Sequence, residues 1–90
     1  FEPLDAEAFP AVDLAKQVGR AGGTYPAVFN AANEQAVDAF HEGALTFLGI
    51  LDTVRRVVDA HTPPATLDRG ALAEAERWAR QSADGLIAAG

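Results

Sequence analysis

Phe47-Leu48-Gly49-Ile50-Leu51-Asp52-Thr53-Val54-Arg55-Arg56-Val57-Val58-Asp59 is the stretch that decides the fold class of this chain. Its valines are β-branched and would suit a strand. A half-buried strand must alternate, because successive residues point to opposite faces. Phe47, Ile50, Leu51, Val54, Val57 and Val58 follow the 3-4-3 rhythm of one helix face. Asp52, Arg55, Arg56 and Asp59 fall outside it. The spacing predicts a helix over about 47–61, beginning at Thr46 or Leu48 and ended by Thr62-Pro63-Pro64.

The same period extends outward on both sides. Upstream, Tyr25-Pro26 opens a helix over about 25–43, with Thr24 ahead of it as an N-cap. Phe29, Ala32, Ala36 and Phe40 form its apolar face, Val28 and Val37 lie beside it, and Gly43 closes it. Further upstream, Phe9-Pro10 opens a helix over about 10–22, where proline's missing N–H costs nothing in the first turn. Val12, Ala15 and Val18 carry its spacing, Ala11 and Leu14 widen the stripe, and Gly22-Gly23 ends it. The phrase aromatic-Pro-Ala-Val occurs at 9–12 and again at 25–28, with no further similarity, so it reads as one start signal used twice. Residues 1–8 have no period and contain Pro3, which predicts an extended lead-in.

Downstream, Asp68 caps a helix over about 69–88. Leu72, Ala75, Ala79, Ala83, Leu86 and Ile87 lie along one side, with Trp78 adjacent. Glu74 and Glu76 precede Arg77 and Arg80 at pairing distances along the helix. The breaks are short, so consecutive helices are expected to be antiparallel neighbours. Alanine makes up about a fifth of the chain and favours close helix approach. The expected fold is all-α: an antiparallel four-helix bundle with short loops, forming a single helical domain over 1–90.

Composition narrows the function classes. The formal net charge is -6, with 7 Lys and Arg against 13 Asp and Glu, so the basic face that nucleic acid or an anionic membrane requires is missing. No apolar run approaches the ~20 residues of a membrane span. With no cysteine there is no disulfide, no thiolate metal ligand and no thiol nucleophile, which fits a reducing, cytoplasmic compartment. The chain has no methionine and begins Phe1-Glu2-Pro3, which reads as a piece cut from a longer protein.

Catalytic constellations do not emerge. His41 and His61 each fall near a helix C-terminus, where the macrodipole favours a cation, and both read as exposed helix-end histidines. No His-Glu-x-x-His or Glu-x-x-His pair supports a metal site. The glycines form no phosphate cradle. Ser82, the one serine, lies inside the fourth helix rather than on a strand-to-helix elbow. Catalytic, cofactor-binding and metal-ligating residues are therefore expected to be absent.

One segment does carry unusual chemistry: Asn30-Ala31-Ala32-Asn33-Glu34, in mid-helix. Asparagine is a mediocre helix former because its amide competes for backbone groups. Asn30 and Glu34 share a face, with Asn33 adjacent. A substrate or metal contact is one reading. The favoured reading is a structural or interdomain polar network of Asn30, Asn33 and Glu34 that holds a loop or the next domain.

Several segments together resemble the C-terminal domain of the 1-deoxy-D-xylulose 5-phosphate reductoisomerase family. They are Phe9-Pro10-Ala11-Val12-Asp13-Leu14-Ala15, Arg20-Ala21-Gly22-Gly23-Thr24, Ala27-Val28-Phe29-Asn30-Ala31-Ala32-Asn33-Glu34, Ala39-Phe40, Phe47 and Ile50, with Trp78-Ala79-Arg80 fitting the last helix. The resemblance covers nearly the whole chain. Gly49 departs from it, standing where the family often has an aspartate, so the third helix is expected to be less well capped. The resemblance implies a parent enzyme of the non-mevalonate isoprenoid pathway. That parent would be an NADP-dependent oxidoreductase making 2-C-methyl-D-erythritol 4-phosphate with NADPH and Mg²⁺ or Mn²⁺, and typically a homodimer. Its nucleotide-binding and metal-binding catalytic domains would both precede this segment. The segment itself is then a structural support, inactive alone, whose partner is the parent's catalytic domain.

A different class remains open, a free-standing helical protein-interaction module. An acyl carrier is disfavoured because Ser82 follows Gln81 rather than an aspartate. A mutase-like bundle is disfavoured because Arg55, Arg56, Arg77 and Arg80 read as surface. A domain cut from its neighbour would expose an apolar patch, which predicts modest stability and self-association.

Overall fold

The computed structural model describes residues 10–89, with side-chain surroundings from Leu14 onward. The lead-in expected over 1–8, and the core positions expected at Ala11 and Val12, lie outside these. Four α-helices and no strand occur among the described residues: α1 (Pro10–Ala21), α2 (Tyr25–His41), α3 (Phe47–Ala60) and α4 (Arg69–Ala89).

Each boundary has a local cause. α1 stops at Ala21 because Gly22 and Gly23 take φ of 65° and 59°, which L side chains adopt only at a cost. α2 ends two residues before the expected 43, in a complete Schellman motif: Gly43, at φ 85°, donates to the Phe40 carbonyl at 3.0 Å, and Ala44 donates to Ala39 at 2.8 Å. The Thr46 hydroxyl accepts from the Gly49 N–H at 3.0 Å, so the missing aspartate at 49 does not leave α3 uncapped. Asp68 caps α4 as expected, its carboxylate accepting from the Ala71 N–H at 2.7 Å.

Thr24 behaves differently. Its backbone is already helical, at φ -87° and ψ -7°, and its side chain makes no cap hydrogen bond. That hydroxyl is used elsewhere, as described below.

The core is small-residue packing. Val28, Ala32, Ala36, Ala79 and Ala83 are all fully buried. They join α2 to α4, the most extensive contact in the fold, while α3 covers a second side of α2. α3 and α4 are consecutive yet touch each other much less. α2 and α4 run in the same sense, because Glu34 and Gln35 of α2 lie beside Arg80 and Asp84 of α4 while Tyr25 lies toward Trp78, both against His61. In an up-down-up-down bundle these two helices are the diagonal pair. Alanine lets the diagonal close, and the bundle flattens to 38 × 33 × 17 Å.

Flattening changes which apolar residues are covered. Leu14, Val18, Val54, Val57, Val58 and Ala75 enter the core as their period predicts. Ala15 does not; it is exposed. On α2 the buried face centres on Val28, Ala31, Ala32, Ala36 and Ala39, so Phe40, expected inside, is 39% exposed. Phe47, at the start of α3, is 68% exposed, and the Phe40 and Phe47 rings meet edge-on at 6.3 Å.

Two stability predictions follow from this packing. Ala36→Leu forces extra volume into the α2–α4 contact and should cost about 1–3 kcal/mol in urea denaturation, whereas Ala73→Leu, on the exposed side of α4, should stay within ~0.5 kcal/mol. Thr46→Ala should cost about 1 kcal/mol through loss of the α3 cap.

Candidate functional site

The sequence points to Asn30, Asn33 and Glu34, all on α2. The helix repeat of 100° per residue places Pro26, Asn30, Asn33, Val37 and Phe40 on one stripe, about 125° round the helix from the buried stripe of Val28, Ala32, Ala36 and Ala39. Pro26, Asn30 and Phe40 are exposed, and Asn33 and Val37 are half-buried. The outer stripe is therefore amide-bearing near its start and apolar toward its end, where it runs on to Phe47. Such a helix has apolar residues on both sides, which is the pattern of one covered on both sides.

Among the described residues Asn30, Asn33 and Glu34 make no hydrogen bond to one another. Glu34 binds within the domain: its carboxylate meets the Arg80 guanidinium of α4 at 2.9 Å. Arg80 also donates to the Gln35 side-chain oxygen at 3.0 Å, and the Gln35 amide donates to Asp84 at 2.7 Å. Glu34, Gln35, Arg80 and Asp84 thus form a clasp across the α2–α4 contact. Arg80 leaves the surface role expected of it and pairs across helices rather than back to Glu76. Exposed pairs of this kind contribute ~1 kcal/mol or less each, so the clasp sets register more than stability. Asn30 and Asn33 make no side-chain hydrogen bond among the described residues, and their amides remain available on the outer stripe.

A second polar centre escaped the sequence reading. His61, expected to be an exposed helix-end cation, is only 9% exposed. It is the C-cap residue of α3 and turns inward on an extended backbone, at φ -73° and ψ 132°. Its Nε2 lies 2.6 Å from the hydroxyl of Thr24, itself 1% exposed. The Tyr25 hydroxyl reaches the His61 carbonyl at 3.4 Å, a long contact. The Tyr25 ring stands edge-on to the imidazole at 4.9 Å, and the Trp78 ring lies 5.5 Å away. The start of α2, the end of α3 and the middle of α4 therefore meet at one imidazole. Thr24 is taken from its capping role by a partner 37 residues along the chain. His41, by contrast, is exposed at the end of α2 as expected, its ring against Phe40 at 5.7 Å.

The residues present do not fit a divalent metal: among the described residues no three His, Asp or Glu side chains gather as a ligand set. They do not fit a dinucleotide either, since the glycines with positive φ close helix ends rather than cradle a phosphate. No described helix is long and apolar enough to cross a membrane.

What these observations define is an all-α domain of four helices whose polar side chains tie its helices to one another. Its family is specific: residues 1–82 match the DXP reductoisomerase C-terminal domain, and the chain belongs to that family. It is 72% identical, over 97% of its length, to the 1-deoxy-D-xylulose 5-phosphate reductoisomerase of Leifsonia xyli, covering 24% of that protein. It is 58% identical to the Streptomyces coelicolor enzyme of the same name, over 98% of its length and 22% of the relative's, and 48% identical to that of Nocardia farcinica, over 99% and 23%. The chain thus spans about a quarter of the length of the curated relatives it matches.

The buried histidine predicts a pH dependence. Burial holds the His61 imidazole below its ordinary value of 6.5. The unfolded chain then binds a proton more readily than the folded one, so stability is fully present above about pH 6.5 and falls as pH drops from there through the lowered folded value. The urea midpoint should decline as pH falls below about 6.5. His61→Gln, which keeps a hydrogen-bonding group but cannot titrate, should flatten that part of the profile.

Proposed function

We propose that this chain is the structural C-terminal support of a 1-deoxy-D-xylulose 5-phosphate reductoisomerase, inactive alone, which docks on the remainder of its parent through the outer stripe of α2. In this reading the parent converts 1-deoxy-D-xylulose 5-phosphate to 2-C-methyl-D-erythritol 4-phosphate for isoprenoid biosynthesis in the cytoplasm. NADPH and Mg²⁺ or Mn²⁺ bind on the parent's other domains, and the parent is a homodimer.

One observation carries the docking role: a single stripe of α2, to one side of the helix's own core, brings together unpartnered amides at Asn30 and Asn33, half-buried Val37 and exposed Phe40. Free amides beside apolar surface suit a contact that is fixed in orientation by hydrogen bonds and stabilised by burial. Glu34 contributes at one remove, since its ion pair with Arg80 holds α2 in register on α4.

The test is reassembly. The isolated chain should show no NADPH oxidation with the substrate, and should bind the separately expressed remainder of its parent. Asn30→Ala with Asn33→Ala should weaken that binding by at least about tenfold, consistent with two lost interfacial hydrogen bonds, while the urea midpoint of the isolated chain stays within ~0.5 kcal/mol of the original. Turnover by the isolated chain, or undiminished binding by the double variant, would refute the respective half of this reading.

A further inference from the structure

The segment after α3 folds back against α4 and leaves a cleft of about 260 Å³. That is several times the ~30 Å³ share of one water, yet below the usual range of about 300–1,000 Å³ for small-molecule sites. Its size suits one long side chain.

The walls give that side chain a charge. Trp78, half-buried, lines the cleft together with His61, Pro64 and Ala75, its ring tilted against the imidazole at 5.5 Å. Glu74, one helical turn before Trp78, stands exposed on the same face of α4 and lines the same cleft. The ion pairs Arg56–Asp52 and Arg80–Glu34 use other carboxylates, and among the described residues Glu74 has no partner. Arg77, which the sequence pairs with Glu74, lines a neighbouring cleft together with Glu74, Trp78 and Gln81, but forms no ion pair with Glu74. His61 does not oppose a cation, because burial keeps its imidazole neutral near neutral pH. An indole face attracts cations, and a planar guanidinium both stacks on such a ring and meets a carboxylate through paired hydrogen bonds. Ammonium has no plane to stack, so arginine fits better than lysine.

We propose that the cleft between the 61–64 segment and α4 is a receptor for an arginine side chain of a partner polypeptide, its guanidinium stacked on Trp78 and paired with Glu74. The net charge of -6 favours approach of such a cationic partner. The cleft shares no residue with the outer stripe of α2, so this site stands or falls separately from the docking role assigned there.

Trp78 is the only tryptophan, and its fluorescence therefore reports occupancy directly. The chain is titrated at pH 7.5 and low salt with N-acetyl-arginine methylamide, and in parallel with the uncharged citrulline analogue and the lysine analogue. A saturable change is expected with the arginine probe, weaker by about tenfold with citrulline and intermediate with lysine. Glu74→Gln, a change at an exposed position, should weaken arginine binding about fivefold or more and leave the urea midpoint unmoved. Equal responses to arginine and citrulline, no saturable response, or full affinity in Glu74→Gln would overturn the proposal.

Discussion

The contact on which the rest of this fold depends is the alanine-width seam between α2 and α4. Ala32 and Ala36 on one helix and Ala79 and Ala83 on the other are fully buried. Alanine loses almost no side-chain entropy on burial and holds the two backbones close. The seam joins the diagonal pair of an up-down-up-down arrangement, which in a square bundle would stand apart. Its closure is what makes the domain flat.

Flatness links the packing to the role of the domain. A thin bundle encloses few residues completely, and here most of those are alanine and valine. Larger apolar side chains are left at the margins: Phe40 and Phe47 at one end of α2, and Trp78 beside the 61–64 cleft. The family to which the chain belongs is a C-terminal domain, and the chain spans about a quarter of the relatives it matches. Polar contacts then secure what the small core leaves loose. The Thr24–His61 hydrogen bond ties the start of α2 to the end of α3, and the Glu34–Arg80–Gln35–Asp84 clasp ties α2 to α4 farther along.

Much of this was legible before folding. The period of Phe47–Asp59 defeats the strand reading that its valines invite, because a helix face recurs every three or four residues whatever the β propensity of its members. Pro26, Gly43, Thr46 and Asp68 mark helix ends through chemistry confined to one turn, so they could be read from neighbours alone. The Asn30-Ala31-Ala32-Asn33-Glu34 segment also stood out locally, since amides in mid-helix need a reason. The segment did not show how its roles divide. Glu34 engages Arg80 inside the domain, while the asparagines face outward.

What only the tertiary structure decided has one physical cause, partners far apart in the chain. His61 sits at a helix end, where the local field favours an exposed cation, yet Thr24 and Trp78 enclose it, and the desolvation they impose keeps it neutral. Thr24 has the sequence of a cap and the geometry of a cross-link. Phe40 has the spacing of a core residue and lies exposed, because α4 approaches α2 from the alanine side rather than the phenylalanine side. The sequence by itself determined four helices, their ends and a family. Which face of α2 became core was settled by the closeness that alanine permits between two helices that are not consecutive, and no local pattern encodes that choice.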